Sequence, residues 1–220
     1  MLETMPEEFD IESYKDENTK LTPYKIFLIQ EVTRMNNLLR EIKRSLNEVD
    51  LGLKGDLTIS EAMDALIADL AHDRVPASWA ALAWTSLRRL QSWKEDLASR
   101  VEQLSNWIQE GEPNVVWLSG LFNPSAFVMA VLQTAAAKHG WQLDQIEVVT
   151  EVTRKQPEAI EQAAREGVYV HGLVLEGGRW DDKGGVLEES RPKEIFHSMP
   201  VIHLRAVPKE DVLDMQDFYR

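Results

Sequence analysis

The sequence predicts an α+β protein in which an antiparallel helical layer is followed by a smaller β-rich unit. Up to Gly140, apolar residues recur every three or four positions, which is the period of a packed helix face. Beyond it the apolar runs become short, and the glycine pairs Gly177-Gly178 and Gly184-Gly185 separate them as hairpin turns do. We therefore expect three parts: an extended lead-in over 1–20, a helical part over 21–140 and a β-rich part over 141–220.

The first long helix is predicted to begin at Pro23, because Thr22 is a favourable N-cap and proline suits the first helical position. Its apolar residues form an unbroken heptad seam: Leu28, Val32, Met35, Leu39, Ile42, Leu46 and Val49. Such a seam is typical of a coiled coil, but Ile26, Ile29 and Leu38 widen the apolar stripe. The wider stripe favours a helix packed in a globular bundle over a free-standing coiled coil.

Glycine, proline and capping residues mark the other helix ends. Gly52 and Gly55 are expected to end the first helix. The second helix is predicted to begin at a Thr58–Glu61 capping box and to end before Val75-Pro76. The third extends from Leu87 to Ile108 and ends at Gly111. The fourth begins at Asn123-Pro124 and ends at Gly140. Short connections between long helices favour antiparallel packing. Trp93 and Trp107 fall on the inner face of the third helix and are expected in the core.

The last third of the chain is predicted to be mostly strands. We expect a strand over 146–152 and a strand over 168–175 that is apolar on both faces. A glycine-bounded hairpin over 177–185 and a strand over 201–207 with one solvent-exposed face should follow. Residues 156–166 are compatible with one short helix. The sequence stops at Phe218-Tyr219-Arg220 without a closing turn, which is typical of a truncated domain.

Charge and cysteine usage narrow the class of partner. The formal net charge is −13 and there is no cysteine, which excludes disulfides, thiolate nucleophiles and cysteine metal sites. A negative surface repels phosphate backbones and the acidic face of a microtubule, so nucleic acid and direct microtubule binding are not expected. No signal peptide or membrane span is apparent. These observations favour a soluble cytoplasmic protein.

Two segments superficially resemble nucleotide or acyl-transfer motifs. Gly172 to Arg179 has two glycines at roughly the spacing of a phosphate loop, but the lysine and the serine or threonine that should follow are missing. Ser119 precedes Gly120 in the run Trp117 to Leu121, but the first glycine of a nucleophile elbow is absent. A tight turn into the fourth helix is the better interpretation of the serine.

The remaining candidates for chemistry are two histidines and two aspartates. His171 and His203 lie on strands that could be neighbours, but zinc needs further ligands, and strand histidines are more often hydrogen-bonded core or rim residues. Asp181 and Asp182 are expected at a solvated hairpin tip, where nothing raises the pKa as an acid catalyst requires. No catalytic residue, cofactor site or metal site is predicted.

Several ordered stretches nevertheless resemble the C-terminal domain of dynein heavy chains. The main ones are the run from Val116 to Phe122 with Pro124, Ala126 and Phe127, the run from Gly167 to Leu173, the run from Gly177 to Asp181, and Met199 to Ile202. The residues that carry the family motif are Trp117, Ser119, Gly120, Phe127, Tyr169, His171, Gly172, Gly177, Arg179, Trp180, Asp181 and Pro200. The tripeptide Arg179-Trp180-Asp181 is similar to axonemal rather than cytoplasmic heavy chains.

The resemblance implies a role that the residues alone do not give. Such domains follow the last module of an AAA+ ATPase ring, lie across one face of it and regulate a motor without hydrolysing ATP; ATP and Mg²⁺ belong to the parent ring. They combine a helical part with a small β-barrel and typically continue past the position of Arg220 with further strands. The resemblance therefore implies that the β-rich part of this sequence is a small β-barrel-like unit, incomplete at its C-terminus. The implied partners are the protein's own ring and other dynein subunits, and the implied location is the cytoplasm and cytoskeleton, in the axoneme of a cilium or flagellum.

Two other interpretations stay open at this point. The first is an independent acidic adaptor that binds partner helices through the Leu28–Val49 seam. The second is a hydrolase that uses Asp181 or Ser119, which lacks the partners that such chemistry needs.

Overall fold

The computed structural model of the protein describes residues 5–14 and 21–216. In these ranges the helices are α1 (Ile11–Tyr14), α2 (Pro23–Lys54), α3 (Glu61–Ala71), α4 (Ala77–Ala80), α5 (Leu90–Glu110), α6 (Pro124–His139) and α7 (Lys209–Gln216). The strands are β1 (Val115–Trp117), β2 (Ile146–Val152), β3 (Val168–His171), β4 (Val174–Glu176), β5 (Gly178–Asp181), β6 (Val186–Glu189), β7 (Phe196–Ser198) and β8 (Ile202–Pro208). The predicted α+β class is confirmed. The last three residues, Phe218 to Arg220, lie outside the described ranges.

The strands form three small sheets instead of a barrel. The largest has the order β1-β3-β8-β2, with β1 parallel to β3 and the other neighbours antiparallel. β4 pairs with β7 and β5 pairs with β6 in separate two-stranded sheets. Within residues 5–14 and 21–216 no sheet closes on itself, so the expectation of a barrel-like unit is wrong for this part of the protein. Closure requires every edge strand to have a second neighbour, and β2 pairs only with β8 here.

Close contacts divide the protein into two units. Among the described residues, one comprises residues 28–109 with residues 5–14 of the lead-in, and the other comprises residues 110–216 with the first residues of α2 up to Phe27. This grouping differs from the division into 1–20, 21–140 and 141–220, which rests on a change in sequence pattern and stays a prediction. The antiparallel order of the helices also stays a prediction.

Helix α2 begins and ends as its sequence indicates. Thr22 Oγ1 accepts the backbone N–H of Lys25 at 3.2 Å, which confirms the N-cap. The helix runs through Gly52, which was expected to help end it, and stops before Gly55, whose φ of +84° is left-handed. All seven residues of the heptad seam are buried, between 0 and 8% exposed. The seam is therefore core within this protein, and a coiled coil is not shown.

The lead-in is more than an extended approach to α2. Phe9 exchanges two hydrogen bonds with the side chain of Asn36, both 2.9 Å long, and Glu8 pairs with Arg40 at 2.7 Å. α1 follows at Ile11–Tyr14. The expectation of an unpacked segment is therefore wrong for residues 5–14, because a buried asparagine on α2 satisfies its amide with the backbone of the lead-in.

Several predicted helix limits need correction. Ser60, not Thr58, caps α3, since its hydroxyl accepts the N–H of Met63. Leu87 was placed in the third helix, but α5 begins at Leu90 and Leu87 is fully exposed. α5 then follows the prediction: Trp93 and Trp107 are buried, and Gly111 has a φ of +92°.

The second unit also departs from the sequence pattern in places. The segment predicted as one strand over 168–175 is two, because Gly172 at φ +86° interrupts it, and β3 alternates buried and half-buried residues. Residues 156–166 contain only a 3₁₀ turn at Pro157–Ala159 where one short helix was considered. β1 and α7 were not predicted. α6 agrees with the prediction, with Asn123 as N-cap and Gly140 in the left-handed conformation.

No described helix is both long and apolar enough to cross a membrane.

Candidate functional site

The turn after β1 packs on the turn after β3 through one tryptophan. Trp117 ends β1 directly opposite His171 of β3, and the backbone then makes a 3₁₀ turn through Ser119 and Gly120. A Cβ on Gly120 would lie 2.5 Å from the indole Cδ2 of Trp117. A Cβ on Gly172 would collide with the same indole and lie 2.6 Å from Ser119 Oγ. Only glycine therefore fits at either position, and these four motif residues act as one packing unit.

Phe127 carries the aromatic packing of α6. Its ring is completely buried, with the rings of Phe27 and Tyr24 from the start of α2 at centroid distances of 5.4 and 6.0 Å. Burial raises the pKa of the Tyr24 phenol well above its usual value. The charge of Glu112 raises it further. The phenol is therefore a neutral structural group at physiological pH.

The two histidines considered as zinc ligands, His171 and His203, lie in different surroundings. His203 faces Tyr169 across the β3–β8 pair, with ring centroids 5.0 Å apart, and its Nε2 lies 2.7 Å from the carbonyl oxygen of Glu166. That nitrogen must donate, because a carbonyl only accepts. Burial lowers the pKa of His171, and the attraction of Glu158 opposes the shift. Among the residues described, no group of three or more histidines, aspartates or glutamates could hold a metal ion.

The segment from Gly172 to Arg179 does not have the backbone of a phosphate loop. It consists of β4 and the start of β5, joined at Gly177, which has a φ of +69° and donates its N–H to the carbonyl of Ile195 at 3.2 Å. A phosphate loop instead leads into a helix whose N-terminal N–H groups face the ligand. Gly177 and Gly178 therefore lie at a connection between strands and not in a ligand-binding loop.

The hairpin tip at Asp181 is an ordered turn. The carboxylate accepts the backbone N–H of Gly184 at 2.6 Å and that of Lys183 at 3.4 Å. The Gly184 hydrogen bond holds the pKa of Asp181 below its usual range, with smaller contributions from Lys183 and Arg179. A carboxyl group stabilised as an anion is a poor proton donor.

Two further motif residues, Trp180 and Pro200, are buried.

Sequence reasoning missed a charged cluster in the helical unit. Arg100 is buried on α5, its Nε is 3.2 Å from a carboxylate oxygen of Asp96, and its guanidinium carbon lies 3.9 Å from the centre of a Trp84 ring. Trp84 in turn stacks on Trp93 at 5.3 Å. Burial lowers the pKa of Arg100 and the charge of Asp96 opposes this. The only signal in the sequence is the four-residue spacing of Asp96 and Arg100, which exposed pairs share.

A cavity with a volume of about 970 Å³ lies beside the edge strand β2. Among the residues described, its lining is mostly valine and threonine, with Glu151 as the single acid and with Arg154 and Arg205. The described part of this surface offers no histidine and no second carboxylate for acid–base work. Taken together, the motif residues hold strands and turns in place, and they do not converge on one reactive centre.

Comparison with known proteins gives the family. The family model described as the C-terminal domain of the dynein heavy chain matches residues 1–220. The protein is 49% identical over 224 residues to the dynein beta chain of the flagellar outer arm of Chlamydomonas reinhardtii, a match that covers 100% of its sequence. It is 44% identical over 218 residues, or 99% of its sequence, to the ciliary dynein beta chain of Heliocidaris crassispina, and 41% identical over 220 residues, or 100%, to human dynein axonemal heavy chain 17. It spans only about 5% of the length of each relative. Because the family model matches from end to end, this protein belongs to the family of C-terminal domains of dynein heavy chains.

Proposed function

We propose that this protein is a non-catalytic regulatory domain of an axonemal dynein heavy chain, which packs on its own AAA+ ATPase ring and modulates movement along microtubules. The observation that carries the proposal is the match of the whole sequence to a C-terminal domain family, combined with its small share of each relative's length. A segment of that kind acts as one module of a long polypeptide. The ATP and Mg²⁺ of that polypeptide are bound in its ATPase ring, outside this segment.

The names of the relatives support the axonemal assignment. They are a flagellar outer-arm chain, a ciliary chain and an axonemal heavy chain. The tripeptide Arg179-Trp180-Asp181 also resembles axonemal heavy chains. On this basis we place the protein in the cytoskeleton of a cilium or flagellum.

The geometry of the candidate sites supports a non-catalytic role. Ser119 belongs to a turn packed on glycine and indole, and Asp181 is held as an anion at a hairpin tip. We expect calorimetry of the protein with Mg-ATP to show no binding heat. Turnover that persists through purification and is abolished by a point substitution within residues 1–220 would contradict the proposal.

The partner is expected to be the heavy chain's own ring, with other dynein subunits as further candidates. The net charge of −13 disfavours nucleic acid and the acidic microtubule surface. The adaptor interpretation required the Leu28–Val49 seam to be open to partner helices, and every residue of that seam is buried. No observation favours the adaptor over the motor domain.

The mechanism we propose is coupling between conformations. A domain that contacts the ring differently in two ring states shifts their equilibrium by the difference in contact free energy. An allosteric coupling of about 1–3 kcal/mol corresponds to roughly 5–150-fold in an equilibrium constant. Effects on motor output of up to that size are therefore expected.

Deletion of residues 21–220 from the full heavy chain tests this proposal. We expect nucleotide binding to persist, because these residues contribute no phosphate loop, while ATPase rate, force or run length changes. The intact heavy chain, purified in parallel, is the reference, and equal nucleotide binding by both shows that the ring is still folded. If the deleted and intact motors agree in rate, force and run length, the regulatory role is wrong.

A further inference from the structure

A recess with a volume of about 210 Å³ lies between α6 and the segment that precedes β3. Helix α6 lines it with one face, whose residues follow each other at steps of three and four positions: Val131, Thr134, Ala135 and Lys138. Tyr24, residues 112–114 and residues 163–168 provide the rest of the described lining. All of these residues belong to the second unit, so the recess is formed within one compact part of the protein.

Two hydrogen bonds connect the walls of the recess. Lys138 Nζ donates to a carboxylate oxygen of Glu166 at 2.6 Å, and the side-chain amide of Asn114 donates to the carbonyl oxygen of Glu161 at 2.9 Å. Gly167 has a φ of +75°, and a Cβ there would collide with the carbonyl oxygen of Leu204. The backbone behind the recess is therefore closely packed. A site whose shape is formed before binding loses less conformational entropy when a ligand enters.

Three side chains of the lining carry oxygens that a ligand can use, and we call Tyr24, Glu112 and Thr134 the oxygen group. Thr134 Oγ1 is buried and has no hydrogen-bond partner among the residues described. Glu112 is exposed enough to be reached, and it forms no ion pair with another described residue. Its charge acts on the phenol of Tyr24, so these two side chains lie near each other. A buried polar atom without a partner is costly, and a ligand that donates a hydrogen bond to it is favoured.

The charges around the recess select the class of ligand. Lys138 is neutralised by Glu166, and Arg165 is exposed. Burial raises the pKa of Glu112, because its carboxylate is desolvated without a nearby cation. A cation beside this carboxylate offsets that cost. A primary ammonium group has three N–H donors and no acceptor, which matches the three side chains of the oxygen group.

The walls and the volume limit the rest of the ligand. Pro113, Val131, Ala135 and Val168 give the recess an apolar lining that suits a hydrocarbon stem. A water molecule occupies about 30 Å³ of liquid, so a recess of about 210 Å³ has room for roughly seven non-hydrogen atoms. A four-carbon stem with its nitrogen fits, and a long polyamine does not.

We propose that this recess binds a primary alkylammonium ion with a stem of about four carbons, whose ammonium group contacts Glu112, Thr134 and Tyr24. The inference goes beyond the proposed regulatory function and does not depend on it. A free amine and the lysine side chain of another protein share this chemistry, so both are sources of the ligand.

Titration with n-butylamine, followed by the NMR amide signals of this protein, provides the first test. At pH 7 the amine is protonated, and the amides of residues 131–138 and 163–168 should shift until the site is saturated. Saturation is expected at millimolar concentrations, because a ligand of five heavy atoms has limited binding energy. Butanol and butyrate have the same stem with a neutral and a negative head, and both should bind at least about tenfold more weakly. Butyrate that binds as well as butylamine, or butylamine that produces no saturable shift, would overturn the proposal.

Substitutions at the oxygen group provide the second test. Glu112→Gln should weaken butylamine binding at least about tenfold, since a hydrogen bond to a charged group is lost, and Thr134→Val should weaken it several-fold while the shape is kept. Glu110→Gln is the matched control, because it removes the same charge at an exposed position outside the lining. Equal losses in Glu110→Gln and Glu112→Gln would show only a general attraction to an acidic protein and would overturn the proposal.

The unmodified protein gives a readout that does not depend on any variant. Binding of a cation favours the ionised form of Glu112, so the pKa of this carboxyl, followed by carbon-13 NMR, should be lower with saturating butylamine than without it. An unchanged pKa contradicts the proposed contact.

A lysine analogue with both backbone ends blocked distinguishes the two sources. If it binds as tightly as butylamine, the recess accepts the lysine side chain of a protein. If it binds at least about tenfold more weakly, the ligand is a free amine. Both results support the site, whereas binding of neither compound overturns it.

Discussion

Replacement of Asp96 by alanine is expected to lower the free energy of unfolding by about 3 kcal/mol. The side chains of Arg100 and Asp96 are only 6 and 7% exposed, so the substitution leaves a buried guanidinium without the carboxylate of Asp96. Removal of one partner from a buried ion pair costs about 3–5 kcal/mol, because the remaining charge stays desolvated. We expect the lower end of that range, since the buried carboxylate of Glu31 still attracts Arg100 and the ring of Trp84 still covers it.

The protein offers a matched control for this experiment. Asp50 and Lys54 form another pair of an aspartate and a base four residues further along a helix, but their side chains are 46 and 62% exposed. An exposed pair contributes about 0–1 kcal/mol, because water screens both charges. Asp50→Ala should therefore shift the urea midpoint much less than Asp96→Ala, with the m-value unchanged in both.

Urea denaturation followed by tryptophan fluorescence measures both variants, and the combined variant Asp96→Leu/Arg100→Met completes the comparison. Removal of both charges should recover much of the loss, because an apolar pair of similar volume needs no desolvated charge. Equal losses for Asp96→Ala and Asp50→Ala would refute the reasoning. A double variant that is less stable than Asp96→Ala would show that the charges themselves stabilise the helical unit.

Three further predictions concern single residues. Trp107→Ala should cost about 3–5 kcal/mol in the same assay, because the side chain is 4% exposed in the core; a loss well below 1 kcal/mol would contradict that placement. Gly172→Ala should cost about 2–5 kcal/mol from left-handed strain and the collision with the indole. Gly177→Ala, which has a similar φ but open space around it, should cost only about 1–2 kcal/mol, and equal losses would exclude the collision. The pKa of His171 is lowered in the folded state, so the unfolded state binds more protons and stability should fall as pH drops through about 6.5. In urea midpoints measured from pH 7.5 to 5.5, His171→Gln should make that decline in stability shallower. His72→Gln, at an exposed position, is the control. If His72→Gln changes the slope of midpoint against pH as much as His171→Gln does, the role assigned to His171 is wrong.

The helix boundaries were the most predictable part of the fold. Thr22, Asn123, Gly111 and Gly140 act locally, through one hydrogen bond or one left-handed residue, so their effect is visible in the sequence. The capping of α3 was wrong because Thr58 and Ser60 are both suitable caps, and the position of Met63 selects the second. The four-residue helix α4 and the exposed loop at Leu87 depend on where Trp79 and Trp84 pack, which no local rule specifies.

Strand pairing and site geometry were less predictable. β1 has only three residues, and its extension depends on pairing with β3 more than fifty positions later. The motif residues Trp117 and Gly172 are likewise far apart in sequence, and their contact exists only once those two strands lie side by side.

By itself, the sequence determined the α+β class, the seam of α2, the absence of cysteine chemistry and the resemblance to dynein C-terminal domains. Each of these depends on residue identity or on contacts within a few positions. Only the tertiary structure decided that the described sheets do not close and that Asp96 and Arg100 are buried whereas Asp50 and Lys54 are exposed. The two ion pairs have the same spacing, and a sequence records that spacing but not the dielectric environment that packing creates around it.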